Sequence, residues 1–458
     1  MIRLFNVYYP VRTLVLFGVE TLVVCGSFLL AVLLRFQQDS FLVLNYEGGY
    51  YKVLLVTGLA LACLYSFDLY DLQRLHSRTE VFVRLLVVVG SLSLILAALG
   101  FFFPEIMLGN GTFLTGLTIL TFGLVGWRAF YSWLMQRPLL RERVYVLGAG
   151  KRAEALVEML RTRPELGMEL VGWTGALGNG SLTREELTRR LQSLREGGRV
   201  ERIIVALSDR RGTMPVRDLL DLRLSGIAVE DATALLEKIT GKIEVDELQP
   251  SWLIFSEGFR LHHTFLFVRR LVSVLVSLAC LLVFLPFLPV IALAIRLTSP
   301  GPVLFWQPRV GRNGAIFNCY KFRTMREDAE SETGAIWAAD DDPRITPVGR
   351  FLRRTRLDEV PQLWNVMKGD MGFVGPRPER PEFVENLVRE IPYYHLRHII
   401  RPGVTGWAQV NYHYGASVEE SKEKLRYDLY YVRNISLSLD LLIIFQTIKI
   451  VLFGRGAR

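Results

Sequence analysis

Asp358 and Glu359 are adjacent carboxylates in an arginine-rich part of the chain, with Arg353, Arg354 and Arg356 just before them. Nearby positive charge favours the ionised carboxylate. An ionised aspartate can attack phosphorus, and an ionised glutamate can hold Mg²⁺. An isolated Asp-Glu pair would be read as a solvated helix turn paired with Arg353 or Arg356. The surroundings therefore decide between the two readings.

Those surroundings fall into blocks. The first is Gly301-Pro302-Val303-Leu304-Phe305-Trp306-Gln307-Pro308-Arg309-Val310-Gly311, followed by Tyr320-Lys321-Phe322-Arg323-Thr324-Met325. The second runs from Asp341 to Arg350. The third is Leu357-Asp358-Glu359-Val360-Pro361-Gln362-Leu363-Trp364-Asn365. Next come Gly369-Asp370-Met371 with Gly375-Pro376-Arg377-Pro378, and finally Arg401-Pro402-Gly403-Val404-Thr405-Gly406-Trp407. Arginines at this density suit phosphate oxygens, which they bind through charge-assisted, often bidentate bonds. Gly and Pro turns let backbone approach a ligand closely.

The elements that must position this region include membrane segments. The chain has 458 residues, 51% of them apolar, and a mean hydropathy of +0.28, above what a soluble surface allows. Four apolar runs come first, at about 12–35, 51–70, 81–103 and 112–135, each near the ~20 residues that cross a bilayer. Basic residues flank both ends of this set, while the connection from Pro104 to Gly111 has none, which predicts cytoplasmic ends. The first run reads as a retained anchor. Glu20 and Arg128 lie inside apolar runs and are expected to serve helix contacts or to snorkel.

A parallel α/β unit is expected next, from strands at Val144–Leu147, Arg202–Leu207 and Gly226–Val229 alternating with helical stretches. Gly148-x-Gly150-x-x-Ala153 has the form of a dinucleotide fingerprint. Val171–Gly175 offers no Asp where the fingerprint's acidic residue is expected, and no Tyr-x-x-x-Lys is apparent in this unit, so it is expected to be structural or regulatory. The net charge of +9 fits anionic lipids, nucleic acid or phosphate-bearing substrates equally well. Neither the four cysteines nor the six histidines show disulfide or zinc spacing. A fifth apolar run, about 271–297, is interrupted by Pro286 and Pro289. It could span, or enter and return on one side. A final apolar stretch at 437–453 suits a helix on or near the membrane surface, or a core helix.

Taken together, the L-D-E-x-P-Q-L-x-N, K-F-R-T-M, G-P-R-P and R-P-G-x-T-G blocks closely resemble the bacterial sugar transferase family, the monotopic polyprenyl-phosphate phosphoglycosyl transferases, from about Phe265 onward. The whole arrangement is similar to the large, exopolysaccharide-initiating form. The resemblance implies an α-helical membrane bundle (1–138), a Rossmann-like α/β domain (139–258), and a mostly α-helical monotopic catalytic domain (259–458) with a re-entrant helix near 265–297. Such proteins transfer a sugar 1-phosphate from a UDP-sugar to polyprenyl (undecaprenyl) phosphate and release UMP.

Carried onto this chain, the resemblance makes Asp358 the nucleophile and Glu359 the Mg²⁺ ligand. Arg377 and Arg353 or Arg356 become phosphate binders, supported by Arg323 and Arg401. The sugar would be read around Asn411–Gly415 or after Asp328. Localisation at the cytoplasmic face of the bacterial inner membrane follows, with no nucleic-acid partner and with a homodimer consistent with the large form. The family commonly carries a polar residue before the helix-breaking proline and an acidic residue shortly after the first arginines. This chain has Leu285 at the former position and Leu271, Val272 and Ser273 at the latter. The competing reading is a scaffold of polysaccharide assembly that has lost catalysis.

Overall fold

The structure, a computed structural model, describes residues 1–71, 77–107, 109–135, 137, 141–177, 187–191, 193, 200–207, 214–248, 262–326, 329, 342–412 and 417–453. The chain forms two compact units. One holds residues 9–235 with the first two residues, and the other holds 3–8 with 236–458.

In the first unit, the apolar runs form helices α1 (Val11–Phe36), α3 (Gly49–Ser66), α4 (Arg78–Phe102) and α5 (Asn110–Met135), with a short α2 (Ser40–Asn45). Their length and hydropathy suffice to cross a membrane. The bundle core is built from Val24, Phe28, Val32, Val56, Leu64, Leu92, Leu96, Leu120 and Leu124, while Leu22, Leu94 and Phe122 face outward. Small residues let α1 and α5 approach closely: a Cβ on Gly116 would meet Phe28 at 2.6 Å, and one on Gly123 would meet Val23 at 3.0 Å. Glu20 is fully buried. Its carboxylate accepts from Arg128 Nε at 2.5 Å and Nη2 at 3.2 Å, while Arg128 Nη1 donates to Leu69 O at 2.9 Å. The two intramembrane charges thus serve each other.

Beyond α5, a parallel sheet has the spatial order Met168–Trp173, Glu142–Leu147, Arg202–Val205, Ala228–Asp231. The strand Met168–Trp173 adds to the three expected ones. It occupies the other side of Glu142–Leu147, so the connections wind in both directions. The glycine turn after Leu147 is closed by that added strand. Thr174 Oγ1 accepts from Gly148 N at 3.2 Å and donates to Val146 O at 3.0 Å, and Trp173 Nε1 donates to Gly148 O at 2.9 Å.

The second unit begins at Leu236, upstream of the expected boundary at 258/259. Trp407 Nε1 donates to Gly241 O at 2.9 Å, and Ile243 N donates to Arg426 O at 3.1 Å. Ile243 and Val245 share a core with Tyr394, Leu425, Tyr430 and Ile443. Residues 3–8 join this unit through Asn6, whose Nδ2 donates to Asn434 O at 3.0 Å and whose O accepts from Tyr430 Oη at 3.0 Å. Its strands form an antiparallel hairpin, Leu304–Val310 with Ile316–Phe322, and a parallel pair, Gly372–Val374 with Gly403–Thr405.

The fifth apolar run is a helix from His263 to Phe284, a 3-10 turn at Leu285–Phe287, and a second helix from Leu288 to Thr298. Pro286 and Pro289 cannot donate to the carbonyls of Leu282 and Leu285, so two helical bonds are missing there without any polar residue. Both arms return to the same unit. Arg269 Nε donates to Asp440 at 2.7 Å and its Nη2 to Val374 O at 2.6 Å. Ile291 and Ile295 pack with Phe322, Leu352, Val360 and Leu363. Asp440 thus supplies, from the last helix (Leu437–Phe453), the acidic partner missing after Arg270. That last helix buries Leu439 and Ile443 but exposes Leu441, Ile448 and Leu452, so it is core on one face only.

Breaking a buried ion pair on one side leaves an uncompensated charge and costs about 3–5 kcal/mol. Arg128→Leu is therefore expected to lower the melting temperature of the detergent-solubilised protein. The Glu20→Leu/Arg128→Leu double variant is expected to regain most of that loss in the same thermal scan.

Candidate functional site

The dyad sits on a single 3-10 turn, Leu357–Glu359, between the helices Pro347–Arg354 and Gln362–Lys368. The first helix is capped by Thr346, whose Oγ1 accepts from Gly349 N at 2.9 Å. A Cβ at Gly349 would lie 2.0 Å from Thr324 O, so only glycine lets this helix lie against the K-F-R-T-M segment. Arg356 then adopts a left-handed conformation with φ of 59°, unusual for a residue with a Cβ. This sharp turn carries the next two residues inward, and Asp358 and Glu359 are each only 7% exposed.

Two elements far apart in sequence converge on Glu359. Lys321 Nζ, on the hairpin, reaches its Oε1 at 3.2 Å, and Arg377 Nη2 reaches the same oxygen at 2.8 Å. Burial would push the Glu359 carboxyl up, but Arg377, Lys321 and Arg356 outweigh it and hold the carboxyl far below its ordinary value. Asp358 is shifted the other way. Burial and the neighbouring Glu359 charge raise its pKa, and Lys321, Arg377 and Arg353 only partly offset them. Positive surroundings thus lower one carboxyl of the pair, not both as the sequence suggested. Among the described residues, no donor is bonded to Asp358. It is a buried, destabilised carboxylate beside a firmly clamped one.

Asn365, fully buried, ties the dyad segment to the hairpin. Its Oδ1 accepts from Tyr320 N at 3.0 Å and its Nδ2 donates to Asn318 O at 2.7 Å. Arg377 is positioned by its own backbone. Arg397 Nη2 donates to Arg377 O at 2.9 Å, and Arg397 is paired with Asp428 at 2.8 Å and bonded to Tyr394 Oη at 2.6 Å. Arg309 Nη1 holds Pro378 O at 3.1 Å. Burial pushes Asp428 up to about 6 despite the opposing Arg397. The G-P-R-P and R-P-G-x-T-G blocks meet closely, since a Cβ on Gly403 would lie 2.1 Å from Gly375 N.

Of the residues singled out from sequence, Asp358, Glu359, Arg377 and Arg353 come together, and Arg353 Nε also donates to Thr324 Oγ1 at 2.9 Å. Arg356 acts on Glu359 electrostatically and shapes the turn. Arg323 is buried and donates to Ser299 O at 2.6 Å, tying the second membrane arm to the hairpin. Arg401 faces Arg270, Arg312 and Asp370 instead of the dyad. Lys321 and Arg397 were missed. Lys321 stands in a motif already recognised, whereas nothing local marks Arg397. Asn411 donates to Trp407 O at 2.9 Å. His413, Tyr414, Gly415, Asp328 and residues 330–341 lie outside the described residues, while Ala329 O accepts from Arg344 Nη1 at 2.8 Å.

No group of three or more His, Cys, Asp or Glu side chains gathers among the described residues. Mg²⁺ does not need one, since it usually takes one or two carboxylates plus substrate phosphates. Glu359 offers one such carboxylate beside Asp358.

Removing a buried hydrogen-bonding side chain strands its partners at about 1–3 kcal/mol each. Asn365→Ala, which frees Tyr320 N and Asn318 O, is expected to lower stability by about 2–4 kcal/mol, as read from chemical denaturation. Asp358→Asn is expected to raise the melting temperature. A group with a raised folded-state pKa stabilises the fold below its unfolded pKa and loses that contribution as pH rises through the folded value. At pH 7 the neutral amide therefore removes a cost.

Comparison with known proteins places these features in context. A profile of the bacterial sugar transferase family matches residues 264–454, and one described as a CoA-binding domain matches 65–214. A UDP-N-acetylgalactosamine-undecaprenyl-phosphate N-acetylgalactosaminephosphotransferase of Aeromonas hydrophila is 42% identical over 243 residues, covering 53% of this chain and 56% of that protein. An undecaprenyl-phosphate glucose phosphotransferase of Komagataeibacter xylinus is 34% identical over 341 residues, covering 73% of this chain and 63% of its own. A UDP-glucose:undecaprenyl-phosphate glucose-1-phosphate transferase of Klebsiella pneumoniae is 32% identical over 395 residues, covering 82% and 84%. The chain thus spans less than two thirds of the first two relatives and most of the third. With the dyad, its cationic clamp and the surrounding blocks all within the matched segment, the chain belongs to the bacterial sugar transferase family.

Proposed function

We propose that this protein transfers a sugar 1-phosphate from a UDP-sugar to polyprenyl phosphate, most simply undecaprenyl phosphate, and so initiates assembly of an exopolysaccharide or related glycan. The observation that carries this reading is the asymmetric dyad. Glu359 is clamped by Lys321 and Arg377, while no donor among the described residues bonds to Asp358. A nucleophile needs free lone pairs and a raised basicity, and Asp358 has both. The relatives' names supply the reaction class.

In the first step an Asp358 oxygen attacks the sugar-linked phosphorus. The bond from that phosphorus to the UMP oxygen breaks, and UMP leaves with the electron pair. In the second step an oxygen of the polyprenyl phosphate attacks the same phosphorus, and the aspartyl oxygen leaves, regenerating the carboxylate. Arg377, Lys321 and Arg353 neutralise phosphate oxygens around the dyad. Mg²⁺, held through Glu359, would supply further charge stabilisation on the transferring phosphate.

In this reading the kinked helix of residues 263–298 is re-entrant, because both of its arms are tied to one catalytic unit. The dyad then lies at the cytoplasmic face of a bacterial inner membrane. The α/β domain is Rossmann-like but structural, since Thr174 and Trp173 occupy its glycine turn. A homodimer is compatible with this arrangement.

The test is UMP release by the purified protein with Mg²⁺ and polyprenyl phosphate across a panel of UDP-sugars. Asp358→Asn is expected to lose at least ~10³-fold, because it removes the nucleophile itself; intact activity in that variant would overturn the reading. The wild-type rate should fall as pH drops through the raised Asp358 pKa. Glu359→Gln removes a charge that raises that pKa, so the acid limb of its residual activity should move to lower pH.

A further inference from the structure

A second cationic site lies at the start of the kinked membrane helix. Arg269, Arg270, Arg312 and Arg401 line one cleft together with Leu266, Ser273 and Ile400. Neither dyad carboxylate is among its lining residues. The four arginines are not equivalent. Arg269 is buried and fully engaged with Asp440, Tyr431 and Val374 O. Arg270 donates to Met367 O at 2.7 Å and to Val366 O. Arg312 Nε reaches Ile399 O at 3.3 Å. The Arg401 guanidinium has no hydrogen-bond partner among the described residues.

Burial and the charges of Arg270, Arg312 and Arg269 push the Arg401 pKa down. Asp370 acts on it in the opposite sense, and Asp370 is shared with Lys368 at 3.4 Å and Asn365 at 3.3 Å. Clustered guanidinium groups with so little counter-charge repel one another, and an anion relieves that cost. Arg401 and Arg312 can present paired N–H groups to tetrahedral oxyanions, the geometry guanidinium groups favour.

The helix beside this cleft indicates what kind of anion fits. Phe267, Leu271, Leu275 and Leu282 project from it and are 70%, 50%, 55% and 62% exposed. Successive positions lie four, four and seven residues apart along one helix and form an apolar stripe leading away from the arginines. A free phosphate has no use for such a stripe, whereas acyl chains do.

We propose that the cleft of Arg270, Arg312 and Arg401 binds the phosphate head group of an anionic membrane lipid whose chains lie along the exposed face of helix His263–Phe284. The site is separate from the catalytic dyad and does not depend on the reaction proposed above. It holds the first arm of the kinked helix at head-group depth.

The test is native mass spectrometry of the full-length, detergent-solubilised protein titrated with dioleoyl phosphatidylglycerol. The wild type is expected to retain a lipid adduct. Arg312→Gln/Arg401→Gln should weaken retention at least ten-fold, and Arg312→Lys/Arg401→Lys should restore most of it, which separates lost charge from lost folding. Arg350→Gln, an exposed arginine elsewhere in this unit, should leave retention unchanged. Equal lipid retention by the Gln double variant overturns the proposal. Displacement of the lipid by an equal concentration of inorganic phosphate assigns the cleft to a free anion and overturns the lipid assignment.

Discussion

The chemistry of this protein depends on keeping two adjacent carboxylates buried without letting both be neutralised. An unpaired buried charge is costly, and a fully paired one is inert. The structure resolves this by splitting the pair. Glu359 takes the cations, through one oxygen shared by Lys321 and Arg377. Its charge, together with burial, then raises the neighbouring Asp358. Much of the surrounding unit supports that asymmetry. The hairpin brings Lys321, the close pairing of Gly375 and Gly403 brings Arg377, and the left-handed Arg356 turns the dyad inward.

Further buried charges keep the clamp in place. Arg397, itself 4% exposed, is held between Asp428 and Tyr394 and fixes the Arg377 backbone. Arg269 performs a comparable task on the membrane side. It bonds Asp440 and Val374 O, three residues before Arg377 of the G-P-R-P turn. The kinked membrane helix is therefore tied by hydrogen bonds to the segment that presents Arg377. The prolines that break this helix remove backbone donors, so the break needs no polar side chain in an apolar setting.

Much of this architecture is legible locally. Apolar runs of bilayer length mark α1, α3, α4 and α5 within a few residues, because hydropathy is a property of neighbours in sequence. The buried strands at Glu142–Leu147 and Arg202–Val205 show as apolar runs for the same reason. The strand Met168–Trp173 carries Glu169 and Gly172 and is only partly buried, so it lacks that signature. The compact unit starting at Leu236 was equally hidden, since Gly241 and Ile243 are recruited by Trp407 and Arg426 from the far end of the chain.

Residue types and spacing alone identified the dyad, its arginine-rich setting and the family resemblance. They could do so because reactive groups and glycine-dependent turns must occupy set positions in the chain. Which cation meets which carboxylate was decided only by tertiary structure. Lys321 and Arg377 reach Glu359 from 38 and 18 residues away, Asp440 serves Arg269 across 171, and Arg401 turns from the dyad toward Arg270 and Arg312. Asp358 and Glu359 differ by one position in sequence and share a composition of neighbours. Burial and the geometry of distant cations send their pKa values in opposite directions, because electrostatic energy depends on distance in space and on exposure to water.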